Sequence, residues 1–266
     1  MIANETVQQS PVEIDGPRIS PDGTRVAFQS ALSGARNIWT SNADGHNTLQ
    51  LTSFSGELVG TPRWSPDGKW LVFVRRPRDH AQIFMVDAEG RNMRALTDGE
   101  HENDVPIWSR NGKAVYFASD RSGNYELWKQ DISSSVSTQI TRHGGFIGVE
   151  SYDGRFLYYV KYFCSGIWRM PIDGGEEDQI MNMPEPWYLG YWDISKSGVY
   201  FYDIAATPRP AIKYYDFRTR QTTTVLEPQE EAKIWASGIS VSPDGRTLVY
   251  CVRHSTMTLM VADEIH

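Results

Sequence analysis

Short runs of β-branched and aromatic residues recur along the whole chain and alternate with polar turns. The runs occupy residues 26–30, 70–74, 114–118, 156–160, 199–203 and 248–252. Residues of these types are enriched in β-strands, and runs of this length bounded by turn residues are typical of short antiparallel strands. The pattern therefore predicts an all-β protein.

One turn signature precedes these runs and returns at a nearly constant interval. It reads Ser-Pro-Asp-Gly or a close variant at residues 20–23, 65–68, 109–112, 151–154 and 242–245, and it is degenerate at 195–198. Proline presets the second turn position, Asp or Asn bonds to its own backbone, and glycine adopts the left-handed conformation that closes the turn. Successive serines are 45, 44, 42, 44 and 47 residues apart, an interval typical of a propeller blade.

Each repeat has the features of four short strands. A second strand is centred on an aromatic residue, which is Trp39, Phe84, Trp128 or Trp168 in the first four copies. A short segment ends thirteen residues later, and in several copies a Gly-containing hairpin turn falls between the two. Four-stranded antiparallel units arranged around an axis form a β-propeller.

The two ends of the sequence indicate how the ring closes. The sixth copy starts at Ser242, and the sequence ends before a fourth strand could form. Residues 6–10 precede Ser20 by the same interval that separates Thr141 from Ser151. We therefore predict a single domain, 1–266, that forms a six-bladed β-propeller whose last blade is completed by the N-terminal strand. The expected blades are approximately 16–53, 61–98, 105–142, 147–182, 191–227, and 238–266 plus 5–10.

Several of these motifs resemble a known family. The Ser-Pro-Asp-Gly hairpins, the strand around 37–39, the connector at 119–124 and the Leu-Thr strand ends resemble the TolB-type, WD40-like β-propeller repeat. More narrowly, residues 144–177 resemble the C-terminal propellers of bacterial regulators that carry an N-terminal winged-helix DNA-binding domain. The resemblance implies a propeller fold and a sensor or scaffold role. The winged helix is not in this sequence, so the resemblance does not imply DNA binding.

Charge and composition argue against some classes of binding partner. The chain has 26 basic and 33 acidic residues, a net charge of −7, which argues against a nucleic-acid or anionic-membrane surface. The two cysteines, Cys164 and Cys251, are too few for a disulfide framework and do not form a metal-ligand spacing. No apolar run is long enough for a spanning helix, and the N-terminus does not have the features of a signal peptide. We expect a cytoplasmic location by default, and a periplasmic one if the chain is part of a longer exported or anchored protein.

The two faces of the predicted ring differ in their loops. The Ser-Pro-Asp-Gly and Asp-Gly hairpins lie on one face and are short and uniform. The connectors between blades lie on the other face and vary between 10 and 16 residues. Because variable loops on a rigid scaffold often carry binding residues, we place the candidate site on the connector face, around the channel mouth.

Glu150 is the most unusual residue of the repeat. In the other copies its register on the innermost strand is occupied by Ile19, Trp64, Trp108, Ile194 and Val241. A carboxylate in an apolar position needs a cationic or hydrogen-bonding partner. Lys161 and Arg63 are the expected partners, and a structural ion pair is favoured over a ligand contact.

Aromatic and acidic residues of the connectors are the remaining candidates. Trp187, Trp192 and Trp235, with Asp193, lie in or beside the two longest connectors, where packing between blades and ligand binding both remain open. Asp104 ends an acidic run, 98–104, which has oxygen ligands but not the spacing of an EF-hand. A solvated loop is favoured there over a metal site.

The sequence has no motif of a known catalytic class, such as a nucleophile elbow, a Walker loop or a zinc-protease helix. We therefore expect a non-enzymatic propeller that binds a protein or peptide, without cofactor or metal, and a monomer. The alternative is a carbohydrate- or peptide-active enzyme with an acidic site at the channel mouth, using residues such as Glu150, Asp193 or Asp104.

Overall fold

The computed structural model describes residues 3–10, 14–162, 164–183, 191–228, 238–253 and 257–263. Within these ranges the chain forms 24 β-strands, and no helix occurs that could cross a membrane. The strands form six four-stranded antiparallel sheets arranged as a six-bladed β-propeller. The all-β, six-bladed prediction is confirmed.

The strands follow the chain blade by blade. Blade 1 contains β2 (Ile14–Ile19), β3 (Arg25–Ser30), β4 (Asn37–Asn42) and β5 (Leu49–Gln50). Blade 2 contains β6 (Leu58–Trp64), β7 (Trp70–Arg76), β8 (Gln82–Asp87) and β9 (Arg94–Ala95). Blade 3 contains β10 (Asn103–Trp108), β11 (Ala114–Ser119), β12 (Glu126–Asp131) and β13 (Ser137–Gln139).

The remaining blades have the same order. Blade 4 contains β14 (Gly148–Glu150), β15 (Phe156–Lys161), β16 (Cys164–Pro171) and β17 (Asp178–Met181). Blade 5 contains β18 (Trp192–Ile194), β19 (Gly198–Asp203), β20 (Ala211–Asp216) and β21 (Thr222–Leu226). Blade 6 contains β22 (Ile239–Val241), β23 (Thr247–Arg253), β24 (Met257–Asp263) and, as its outer strand, β1 (Ala3–Ser10).

The ring closes where the first strand pairs with the last. Strand β1 runs antiparallel to β24, with Ala3 opposite Asp263 and Ser10 opposite Met257. This is the closure that the sequence predicts. It gives blade 6 its fourth strand, so that this sheet has the same size as the other five.

Apolar side chains between neighbouring blades form the core. Each hydrophobic cluster joins two or more blades, as where Ala27 and Ile38 of blade 1 pack with Leu71 and Phe73 of blade 2. The aromatic residues eight positions after the hairpin serines are fully buried; they are Phe28, Phe73, Phe117, Tyr159 and Tyr250. A large aromatic side chain at the same position in five of the six blades therefore contributes to the packing between blades. Both cysteines are unpaired, Cys164 exposed and Cys251 buried.

The recurrent hairpin is a repeated hydrogen-bond unit. In blade 2 the Ser65 hydroxyl donates to Asp67 Oδ1 at 2.6 Å, and Ser65 Oγ accepts from the backbone N–H of Trp70 at 2.9 Å. The equivalent bonds occur in blades 1, 3, 4 and 6, and blade 3 forms them with Asn111 in place of aspartate. Serine suits the start of the turn because its hydroxyl donates one hydrogen bond and accepts another.

These bonds hold the pKa of the hairpin aspartates below their ordinary value. The hydroxyl of Ser151 and the backbone N–H of Arg155 lower the pKa of Asp153 to about 2, and the pKa values of Asp22, Asp67 and Asp244 are lowered with the serine hydroxyl as the largest cause. A lowered pKa in the folded state means that the ionised form contributes stability above the ordinary value of 3.8. That contribution is lost as the pH falls through the folded pKa.

We expect the four aspartates to account for part of the acid sensitivity of the fold. The variant with asparagine at positions 22, 67, 153 and 244 keeps the acceptor oxygen, as Asn111 does, but does not titrate. Its melting temperature should be at or below that of the wild type at pH 7, and it should fall less steeply between about pH 4 and about pH 2. Thermal unfolding followed by circular dichroism measures both slopes.

A matched control removes four carboxylates elsewhere on the surface. Exposed aspartates outside the repeated hairpin are available for the same change, namely Asp44, Asp79, Asp98 and Asp173. This control should keep the slope of the wild type. Equal slopes for the wild type and the hairpin variant would show that these aspartates do not set the acid sensitivity.

Candidate functional site

A cavity of about 400 Å³ lies on the axis of the ring. The inner strands of all six blades line it, each with the two residues that precede the hairpin serine or its equivalent. The residue directly before the serine is Ile19, Trp64, Trp108, Glu150, Ile194 or Val241. The residue two positions before the serine is Arg18, Arg63, Ile107, Val149, Asp193 or Ser240. The cavity therefore brings together residues that are far apart in the sequence but equivalent in the repeat.

The cavity opens on the face of the short hairpins. Its rim consists of residues that directly follow the hairpin serines, namely Pro21, Pro66, Arg110, Tyr152 and Pro243. The sequence instead favoured the connector face, because loop length varies there. Short turns leave this mouth uncovered, and loop length does not report that. A site on the connector face stays a prediction.

Three inner strands bend sharply just before they enter the cavity. The register shifts in front of Arg18, Arg63 and Ile107, and the residues with positive φ are Gly16 (60°), Thr61 (52°) and Val105 (46°), each preceding a proline. Thr61 and Val105 are β-branched, for which this backbone conformation is a true outlier. The N–H of Thr61 donates to Gln29 Oε1 at 2.9 Å, which holds the bend. Such a bulge redirects the side chains that follow it.

Arg18 is held in place by backbone carbonyls. Its side chain is buried, and its Nη1 donates to the carbonyl oxygens of Pro17, at 2.9 Å, and of Ile239 in blade 6. Burial lowers the pKa of Arg18, and the charges of Asp193 and Asp15 oppose that change. Arg18 therefore joins blades 1 and 6 at the closure of the ring.

Arg63 has no such partner. It is half-buried, since the walls surround it while the open mouth leaves part of its surface accessible. Its guanidinium forms no hydrogen bond and no ion pair within 4.0 Å with any residue in the described part of the chain. Burial and then the charge of Arg18 hold the pKa of Arg63 well below its usual value, and Asp193 only partly offsets them.

The two carboxylates of the cavity have fixed donors. Asp193 accepts from the N–H of Ile194 at 2.9 Å and from the N–H of Val241, in blade 6, at 3.0 Å. Glu150 is buried, and it accepts from the N–H of Arg110 at 2.7 Å and from the hydroxyl of Tyr116 at 2.8 Å. Both carboxylates thus join neighbouring blades.

The expected partners of Glu150 were wrong. Neither Lys161 nor Arg63 contacts it; the only cation within 4.0 Å among the described residues is Lys129, at that distance. Burial and the charge of Glu150 raise the pKa of Tyr116, which keeps its hydroxyl protonated as the donor. The contacts of Glu150 are thus a tyrosine hydroxyl, a backbone amide and Lys129, and its structural role stays a prediction.

Arg110 and Tyr152 form one side of the rim. The guanidinium of Arg110 lies 3.6 Å from the centre of the Tyr152 ring, and its Nε donates to the carbonyls of Glu150 and Ser151 at 3.0 and 3.1 Å. Sequence reasoning missed these two residues, as it missed Arg18 and Ser240. Comparing the copies position by position, two residues before and one after the hairpin serine, would have found all four.

The other predicted site residues lie away from the cavity. Lys161 pairs with Glu177 and lies 3.9 Å from the centre of the Trp168 ring, inside blade 4. Asp104 accepts from the N–H of Val105 at 2.7 Å, and burial raises its pKa.

The structure also separates the aromatic candidates. Trp192 is buried in the core between blades 4 and 5, which favours packing over ligand binding for this residue. Trp187 and Trp235 lie outside the described residues. Within the described ranges no group of three or more His, Cys, Asp or Glu side chains is arranged to hold a metal ion.

We expect Glu150 to be required for stability. Glu150→Ala leaves the N–H of Arg110 and the hydroxyl of Tyr116 without an acceptor, which should cost about 2–3 kcal/mol of the free energy of unfolding. Urea denaturation at neutral pH measures the loss. Glu89→Ala, at an exposed position, is the matched control and should change stability by no more than about 0.5 kcal/mol. An unchanged or raised stability in Glu150→Ala would show that these hydrogen bonds are not required for the fold.

Fold and site together define a six-bladed β-propeller with an axial cavity, lined by charged and apolar residues, that opens on its short-turn face. The family model for the TolB β-propeller domain, PD40, matches residues 2–183, more than half of the chain. The protein therefore belongs to the TolB β-propeller family.

Individual relatives span several kinds of protein. The chain is similar to the uncharacterized peptidase YuxL of Bacillus subtilis strain 168, at 36% identity over 112 residues, which is 39% of this chain and 17% of YuxL. It covers 56% and 31% of two further bacterial relatives, so it spans only part of the length of these proteins.

Two solved structures are similar over nearly the whole chain. One is the putative TolB from Agrobacterium tumefaciens, with 20% identity and a TM-score of 0.67 over 97% of this chain and 93% of that one. The other is an oligogalacturonate lyase from Vibrio parahaemolyticus, with 14% identity and a TM-score of 0.60 over 99% of this chain and 97% of that one. At these identities the likeness shows the fold alone.

Proposed function

We propose that the protein is a non-enzymatic propeller that binds a segment of a protein or peptide in the axial cavity. The observation that carries the proposal is the state of the charged groups there. Both carboxylates already accept fixed hydrogen bonds, whereas Arg63 has donors and no acceptor within the described residues. This difference supports a ligand-binding role for the cavity.

The carboxylates are poorly placed for acid–base chemistry. A general acid or base must reach the proton that it transfers, and glycoside hydrolysis needs two such groups around the scissile bond. Glu150 is buried behind the rim and Asp193 is bound to two backbone amides. Their hydrogen bonds support a role in holding blades together.

The size of the cavity limits what can enter. A volume of about 400 Å³ lies within the range of small-molecule sites and admits a chain end or a few side chains. A folded domain does not fit, so a protein partner must insert an extended segment or a terminus. Trp64, Trp108 and Tyr152 give the walls apolar surface for such contacts.

The resemblance to the propellers of winged-helix regulators supports one cellular setting. In that setting the propeller is the sensor or scaffold part of a bacterial regulator, and the bound segment is its signal. A rigid ring with a small axial site suits this role because it recognises a ligand without a change of fold.

We expect a bulky residue in the cavity to abolish binding. Val149 lies on the wall, half-buried, and Val149→Trp fills space that a ligand needs. Peptides selected from a displayed hexapeptide library should bind the wild type and bind this variant at least about tenfold more weakly, because an occupied cavity loses more than the 1.4 kcal/mol that a factor of ten represents. Isothermal titration calorimetry measures the affinities.

Val136→Trp is the matched control, since Val136 is 60% exposed on blade 3, outside the residues that line the cavity. It should bind the selected peptides as the wild type does. Equal affinities for wild type and Val149→Trp would place peptide binding elsewhere on the ring.

A peptide- or carbohydrate-active enzyme is the second candidate. The similarity to a protein described as a peptidase, and the shared fold with an oligogalacturonate lyase, favour it. Chromogenic aminoacyl amides and oligogalacturonate are the substrates to assay. Turnover that Asp193→Asn abolishes would support this alternative, and no turnover would leave the binding proposal in place.

A further inference from the structure

The cation of Arg63 is the one charge in the cavity that the described residues leave unsatisfied. Arg18 donates to two carbonyl groups, and Arg110 donates to two others and stacks on an aromatic ring. Both carboxylates have donors. Arg63 lines the same cavity without any of these contacts. A guanidinium has five N–H donors in a planar fork. A guanidinium that has no acceptor within the described residues and lines an open cavity can therefore bind an acceptor group of a ligand.

Trp108 Nε1, in the neighbouring blade 3, is a second donor for which the described part of the chain supplies no acceptor. Trp64 Nε1 donates to the carbonyl of Arg18, across the junction of blades 1 and 2, at 3.0 Å. Trp108 has the same register in blade 3, but its Nε1 is buried without an acceptor among the described residues. The Nε1 atoms of Trp128, Trp168 and Trp192 are buried in the same way, so this donor is not particular to the cavity. The inference therefore rests on Arg63.

We propose that Arg63 binds a carboxylate group of the ligand, which enters the axial cavity from the hairpin face. This inference rests on the proposed binding function and names the chemistry that the cavity recognises. The carboxylate would form two parallel hydrogen bonds with the guanidinium fork, the strongest arrangement available to this pair.

The charges around Arg63 favour an anion with a single charge. The charged side chains that line the cavity are three cations, Arg18, Arg63 and Arg110, and two anions, Glu150 and Asp193. Arg18 is also balanced by Asp15. Lys129, at 4.0 Å from Glu150, offsets the charge of Asp15. One positive charge therefore remains in excess, and one carboxylate neutralises it. A phosphate dianion would bring a second negative charge close to Asp193 and Glu150, which repel it.

Two sources can supply the carboxylate: an acidic side chain or C-terminus of a peptide, and a small organic acid. The bond to Arg63 is the same in both, and only the peptide adds contacts with the aromatic wall. Probes that separate the two sources are acetate, inorganic phosphate, and the selected hexapeptides in two forms, one with free carboxylates and one with every carboxylate converted to an amide.

The experiment combines these probes with variants of Arg63. Conversion of the peptide carboxylates to amides should weaken binding to the wild type by at least about tenfold, the effect of one charge-assisted hydrogen-bonded pair. The same conversion should change binding to Arg63→Gln by less than about twofold, because this variant has no guanidinium to pair with the carboxylate of either peptide form. Arg63→Lys keeps the charge and should retain part of the effect. Arg94→Gln removes an exposed cation of the same blade and should behave as the wild type.

A structural role for Arg63 predicts a different result. If Arg63 only stabilised the ring, Arg63→Gln would lower the melting temperature of the protein without ligand. We expect that temperature to stay equal or to rise, because the variant removes a poorly solvated charge beside the like charge of Arg18. Wild type with acetate should melt at a higher temperature than without it, and Arg63→Gln should not respond.

Each outcome decides between the two proposals. Peptides that bind equally well with and without carboxylates would overturn the role of Arg63 and leave the binding function standing. Acetate that binds only with Arg63 present, while no peptide is selected, would support the anion site and reject the peptide function. The inference also fails if phosphate outcompetes acetate, if no carboxylate probe binds, or if amide conversion weakens wild type and Arg63→Gln alike.

Discussion

The pairing of the first strand with the last is the constraint on which the site depends. The hydrogen bonds between β1 and β24 fix blade 6 beside blade 1. Only then can Arg18 donate to the carbonyl of Ile239, and the N–H of Ile19 to Ser240 Oγ at 3.2 Å. Without this closure the inner strands would not surround an axis. The cavity is therefore a product of topology, and no blade contains it alone.

The fold could be predicted from the sequence because its signal is local and repeated. The recurrent serine turns form the same internal hydrogen bonds, so a turn that is recognised in one repeat predicts the same hairpin in the others. The partner of Glu150 could not be predicted in this way. One donor is the backbone N–H of Arg110, which every residue but proline has, and the other is the Tyr116 hydroxyl on a different blade. Neither contact leaves a mark in the spacing of charged residues.

The position of the cavity was missed for a related reason. Variation in connector length shows where the chain tolerates insertions, and that property says little about where side chains converge. Convergence depends on the register of the inner strands, where residues two before the serine differ strongly between blades. Arginine, isoleucine, valine, aspartate and serine all occur there, whereas the next position is mostly apolar. A position that varies in chemistry on a fixed scaffold is the better indicator of a site.

That variation also bears on why Arg63 is present at all. Blades 3 and 4 have Ile107 and Val149 at the equivalent position, so the ring packs with an apolar side chain there. A guanidinium at this position loses part of its hydration and faces the charge of Arg18, and both effects oppose its ionised form. The bend at Thr61 recurs in blades 1 and 3, so it belongs to the repeat and does not explain the arginine. The electrostatic cost is particular to blade 2, and the negative charge of the proposed ligand would compensate it.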